Sequence, residues 1–124
     1  MVSAETMHAV VHRYIAALNA GDLEAITALY AMDATVEDPV GTPPHQGQAA
    51  IRAFYAQSLA MKLQVTLEGP VRAAAHEAAF SFCVRLHWQG RDMVIRPIDV
   101  FRFDEAGKIV AMRAIFGPEN MTEA

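Results

Sequence analysis

The spacing of apolar residues changes once along this chain, and that change limits what it can fold into. Up to about residue 60 apolar residues recur at intervals of three and four; from Leu63 onward they alternate. The first regime predicts helices. Met7, Val10, Val11, Tyr14, Ile15 and Leu18 form one stripe of a first helix, which Ser3 can cap and Gly21 can stop. Asp22 can cap a second helix carrying Leu23, Ile26, Leu29 and Tyr30 on its buried side. A short β-like run, Ala34–Glu37, leads into the turn-rich stretch DPVGTPPHQG. A third helix, roughly Gln48–Ala60, presents Ile51, Phe54, Tyr55 and Leu59.

The second regime predicts strands. Leu63, Val65 and Leu67 alternate with polar residues, Gly69-Pro70 breaks the run, and a short strand starts at Val71. Phe80, Phe82, Val84, Leu86 and Trp88 alternate up to a hairpin at Gln89-Gly90. In the next strand Ile95, Pro97, Asp99, Phe101 and Phe103 share one face, and Val94, Arg96, Ile98, Val100 and Arg102 the other. Pro97 inside that strand implies an edge, a bulge or a kink. After the turn Asp104–Gly107, a last strand places Val110, Met112, Ala114 and Phe116 on one side. Helices first and antiparallel strands after give an α+β fold, with helices covering one face of a curved sheet.

Composition narrows the class. A chain of 124 residues, 53% hydrophobic and 19% charged, suits a single domain over residues 1–124 with a substantial core. The net charge of -4 and scattered Arg and Lys exclude a basic stripe for nucleic acid. Apolar runs are too short for a membrane span, and the N-terminus lacks the pattern of a secretory leader. The one cysteine, Cys83, lies in a strand pattern without acids or bases nearby and reads as a buried, inert thiol. A reducing cytoplasm fits these features.

Three polar residues stand on apolar faces. Ala34 and Val36 are the inward pair of their run, so alternation turns Asp38 inward and Glu37 toward solvent. Asp99 lies among Ile95, Pro97, Phe101 and Phe103, while both arginines of that strand face the other way. Tyr14 lies on the buried stripe of the first helix. Each has an ordinary explanation: an Asp before Pro is a turn residue, an Asp in a strand pairs with an Arg, a helix Tyr packs. Two inward carboxyls in one apolar cavity demand more. A buried carboxylate without a cation takes up a proton. A protonated Asp99 and Tyr14 would then be two donors for an oxygen gaining negative charge. Asp38, nearer solvent beside a turn, could remain ionised as a general base. That set suits proton abstraction next to a carbonyl, and an apolar cavity suits a large hydrophobic substrate.

At these residues the chain resembles the bacterial Δ5-3-ketosteroid isomerases of the NTF2-like superfamily. Tyr14 in HRYIAALNAGD, Asp38 in ATVEDPVG and Asp99 in RPIDVFRFDEAGK carry the resemblance, with IRAFYAQSL and RAIFG in support. It covers nearly the whole chain. It implies a cone-shaped fold with three N-terminal helices packed on a curved mixed or antiparallel sheet, a homodimer, and no cofactor or metal. It implies that Asp38 moves a proton from C4 to C6 of a 3-oxo-Δ5 steroid while Tyr14 and protonated Asp99 hold the dienolate oxygen. Tyr55 and Tyr30 match positions of a hydrogen-bonded network behind Tyr14, although helix packing would also place them. Phe54, Phe82, Val84, Phe101, Met112 and Phe116 are expected to wall the steroid site, on parity and on the resemblance together. Phe116 stands where some relatives carry Trp, and Val100 leaves the position after Asp99 apolar; both bear on substrate range. A polyketide cyclase or dehydratase on the same fold, or a non-catalytic binder of flat apolar ligands, are the alternatives. His8 and His12 share a helix face without a third ligand and read as solvated rather than metal-binding. His45 reads as loop surface, His76-Glu77 as a hairpin tip, and His87 as exposed or at a subunit contact.

Overall fold

Capping sets the ends of the first helix. In the computed structural model, which describes residues 1–124, α1 spans Ala4–Ala20. The Ser3 hydroxyl accepts the Thr6 N–H at 3.0 Å. Gly21 takes a left-handed φ of 67° and returns its N–H to the last turn, a conformation only glycine adopts without cost. Met7, Val10, Val11, Tyr14, Ala17 and Leu18 are buried along the predicted stripe.

The second helix is shorter than its pattern suggests. α2 covers only Leu23–Thr27, and Tyr30 opens a strand, β1 (Tyr30–Glu37), instead of closing the helix. Local and tertiary hydrogen bonds explain the change. The Thr27 hydroxyl folds back on the Leu23 and Glu24 carbonyls, and the Leu29 carbonyl accepts the Ile109 N–H at 2.9 Å. The chain is thus captured by a neighbouring strand before the helix can continue. β2 (His45–Gln46) pairs with β1, and α3 (Gln48–Leu59) follows as expected.

The second half forms β3 (Gln64–Leu67), β4 (Arg72–Ala74), β5 (Glu77–Trp88), β6 (Arg91–Ile95), β7 (Ile98–Phe103), β8 (Ile109–Ile115) and β9 (Met121–Glu123). A short 3₁₀ turn over Pro118–Asn120 precedes β9. The strand order is β2-β1-β8-β7-β5-β6-β9, with β3 and β4 also on β5. Only β1 and β8 run parallel; every other pair is antiparallel.

β5 shapes the sheet. Its first half pairs with β7 and β4, its second half with β6 and β3. Pro97 marks the switch: it has no N–H to donate, so the long strand expected over residues 94–103 breaks between Ile95 and Ile98. Ser81 still faces Ile98 and Val84 still faces Ile95, so alternation carries through the break and Asp99 keeps its predicted face. In β8 the register slips: Arg102 faces Ala111 but Phe103 faces Ile109. The extra residue, Val110, sits in a bulge, and Ile109 rather than Val110 enters the core. The helices and the inward residues of the sheet share one core, in which Val11, Ile26, Ile51, Phe101, Ile109 and Met112 are fully buried. Cys83 is buried as well. No helix is long and apolar enough to cross a membrane.

Candidate active site

The cavity lies between the helices and the inner face of the sheet, where β5 bends. α1 delivers Tyr14, α3 delivers Tyr55, β7 delivers Asp99, and the turn after β1 delivers Asp38. The space inside it is about 760 Å³ when its open mouth is counted. Thirteen of its eighteen lining residues are hydrophobic, so polar contacts are left to a few groups, among them Tyr14, Asp38, Tyr55 and Asp99.

Asp99 is 2% exposed, and its Oδ1 has no hydrogen-bond partner. A charged group in that position would be unpaired in a low-dielectric site. Burial pushes its carboxyl well above the ordinary carboxylate range, and the nearby Asp38 charge adds to this. Asp38 is half-buried, and burial alone lifts it to about 6. Two carboxyls of one type thus hold their protons over different pH ranges within one cavity.

Tyr14 is 3% exposed and its ring sits edge-on to Phe101 at 5.0 Å between centroids. Its hydroxyl lies 2.9 Å from that of Tyr55, which lies 2.5 Å from that of Tyr30. Burial raises Tyr14 well above its usual pKa, with the charges of Tyr30, Asp99 and Asp38 adding and the Tyr55 hydrogen bond opposing. All three tyrosines therefore stay neutral at physiological pH, as donors and acceptors in one chain. Tyr30 does not reach the cavity; it stands behind Tyr55.

Phe54, Phe82, Val84 and Phe116 line the cavity as expected. Phe101 and Met112 do not. Both are fully buried beneath it, where Phe101 supports Tyr14, so alternation identified their face but not their depth. Leu18, Met61, Val65, Leu86, Ile95 and Pro97 line it without having been singled out. Three of these were legible: Leu86 alternates in phase with Phe82 and Val84, and Ile95 and Pro97 with Phe101. Met61 sits in the turn after α3, where no periodicity applies.

The histidines lie elsewhere. His8 is half-buried and His12 exposed, and no group of three or more His, Cys, Asp or Glu converges anywhere in the chain. His45 is half-buried in β2, its ring 4.7 Å from Phe54, so it packs rather than facing solvent as a loop residue. His76 sits at the β4–β5 turn near Glu105, and His87 is exposed beside Asp92. Glu37 is directed away from the cavity but is not free: it accepts the Gly41 N–H and contacts Arg113. The Asp38-Pro39 peptide bond is cis.

One base and two donors around an apolar space can remove a proton next to a carbonyl and hold the resulting oxyanion. Known proteins resemble this chain in sequence and in fold. The family model for the SnoaL-like domain matches residues 11–112. A steroid Delta-isomerase from Nocardioides simplex is 46% identical over 120 residues, covering 97% of this chain and 96% of that protein. Epoxide hydrolase LasB from Streptomyces lasalocidi is 46% identical over 46 residues, 37% of this chain and 16% of that protein. The solved structure of SalBIII, described as an epoxide hydrolase/cyclase-like enzyme with a role in pyran ring formation in polyether salinomycin, matches with a TM-score of 0.93. That match covers 100% of both chains at 25% identity. The chain therefore belongs to the SnoaL-like domain family, with the NTF2-like α+β fold, and its near full-length likeness to a steroid Delta-isomerase makes it an isomerase.

Proposed function

We propose that the protein converts 3-oxo-Δ5 steroids to 3-oxo-Δ4 steroids by moving one proton within the substrate. The observation that carries this reading is the contrast between the two carboxyls of the cavity: Asp99 fully buried and without a partner at Oδ1, Asp38 half-buried on the turn after β1. Asp38, ionised at neutral pH, takes the proton from C4, which is acidic because the ketone at C3 accepts the electron pair. The dienolate oxygen receives hydrogen bonds from Tyr14 and from protonated Asp99. Asp38 then returns the proton at C6, and the double bond ends in conjugation with the ketone. Ketosteroid isomerases are the documented case of this division between a donating and an accepting carboxyl. Tyr55 and Tyr30 orient Tyr14 from behind. The apolar wall accepts the ring system. We also propose a homodimer, formed over the outer face of the sheet.

The experiment is direct. Mixing the protein with 5-androstene-3,17-dione should raise the absorbance of the conjugated enone. No increase above the buffer rate sinks the proposal. The full-length likeness to SalBIII favours a cyclase as the second reading. Steroid binding without turnover points instead to a ligand carrier.

A further inference from the structure

The Asp38 carboxyl has no hydrogen bond or ion pair of its own; burial is the only influence on its pKa. Its position is therefore set by its backbone. Glu37 immediately precedes it and, by alternation, points to the opposite face of the sheet. Both Glu37 oxygens are engaged there. Oε2 accepts the Gly41 N–H at 3.0 Å, and Oε1 accepts from Arg113 Nε at 3.2 Å. Arg113 faces Glu37 in the parallel pairing of β1 and β8. Within the turn, the Val40 N–H donates to the Ala114 carbonyl at 2.8 Å, and the Thr42 hydroxyl donates to the Pro39 carbonyl at 2.7 Å. One side chain thus closes a ring behind the segment that carries Asp38 and fastens it to a core strand. The Gly41 hydrogen bond and the Arg113 guanidinium hold the Glu37 carboxyl below the usual range, so the ring stays closed at neutral pH.

We propose that Glu37 is a positioning residue for Asp38. Its carboxylate, held between the Gly41 N–H and Arg113, fixes where the base stands relative to the two carbons it must reach. The inference rests on the proposed role of Asp38 as the base. It makes Glu37 and Arg113 matter for turnover although neither touches the cavity.

The test compares wild type, Glu37→Ala, Glu37→Gln, Arg113→Ala, Asp38→Asn and the Glu37→Ala/Asp38→Asn double variant on 5-androstene-3,17-dione. Binding of a phenolic steroid, which reads the donors alone, is measured in parallel. Glu37→Ala should lower kcat roughly ten- to a hundredfold, the scale of a misplacement of about 1 Å. KM and phenolic-steroid affinity should stay within about twofold, because the donors and walls are untouched. Glu37→Gln should recover part of the loss, since its amide oxygen can still accept from Gly41. In the Asp38→Asn background, Glu37→Ala should change the residual turnover by less than about twofold. Full kcat in Glu37→Ala, or the same loss in both backgrounds, overturns the positioning role while leaving Asp38 as the base. Full turnover in Asp38→Asn overturns the base assignment and the positioning role together. If Glu37→Ala does not fold, Glu37→Gln and Arg113→Ala each keep one of the two contacts and carry the same comparison.

Discussion

Asp38 and Asp99 carry the same functional group into the same cavity, and depth of burial is the largest cause of the difference between them. Each has a folded pKa above its unfolded one, Asp38 at about 6 and Asp99 well raised. The folded state therefore keeps these protons after the unfolded chain has lost them. This preference stabilises the fold below the ordinary carboxylate range, and it is lost for Asp38 as pH rises through about 6. Asp38→Asn removes an ionisation that opposes folding at high pH. It should melt above wild type at pH 8, by on the order of 1–3 kcal/mol, and the gap should close toward pH 4. Melting curves at both values check this; a gap that does not narrow on acidification contradicts it. The same group sets activity in the opposite sense: kcat/KM should fall about tenfold per pH unit below the Asp38 pKa, because only the ionised form accepts a proton. Asp99→Leu should lower kcat by about a hundredfold, since Tyr14 still donates. Asp38→Asn should lose up to about ten-thousandfold. In the infrared, wild type at pH 7 should show a carboxylic acid C=O stretch that disappears in Asp99→Leu. A carboxylate signal at that position excludes the donor role.

Elements bring these residues together, and the sequence announced some of them better than others. Period located α1 and α3, caps marked the ends of α1, and alternation located the face of Asp99, because those signals are local and α1 and β7 keep to them. The end of α2 was not legible. Leu29 and Tyr30 fit the helical stripe, and only contacts with β8, about eighty residues later, place Tyr30 in β1 and leave Leu29 in the turn before it. The bulge at Val110 and the pairing of β9 were hidden for the same reason: both are settled by a partner strand. Asn19 is a similar case. Its side-chain amide donates to the Val65 carbonyl at 2.8 Å, and its oxygen accepts the Val65 N–H at 2.7 Å, so α1 acts as a neighbouring strand for β3. Both elements line the cavity, through Leu18 and Val65. Asn19→Ala should therefore cost about 1–3 kcal/mol in denaturant unfolding, the scale of two lost hydrogen bonds. It should also raise KM more than it lowers kcat, because it loosens a wall and leaves Asp38 in place. Unchanged stability would show that the tie is not maintained in solution.

At the scale of the whole molecule, the sheet has two faces and the helices cover only one. On the other, Ile98 and Ile115 face each other across β7 and β8 and are 45% and 49% exposed. Exposed arginines flank them, Arg102 on β7 and Arg113 on β8. An apolar centre with a charged rim suits a symmetric contact in which the patch meets its own copy. Such a contact needs about 800 Å² from each partner. The mass in solution should therefore be twice the 13.5 kDa of one chain, measured by sedimentation equilibrium at micromolar concentration. Ile98→Glu with Ile115→Glu should shift it to a single chain, because two carboxylates would have to be desolvated without partners. A wild-type mass of one chain ends the dimer proposal. The consequence reaches the site, because Ile98 and Asp99 are consecutive residues whose side chains leave β7 on opposite faces. Covering the outer face restrains the strand that aims Asp99 into the cavity. The double variant should thus lose turnover with the dimer, and a cross-linked dimer of the variant should regain it. Full activity in a monomeric variant would mean that β7 holds Asp99 in place without the partner.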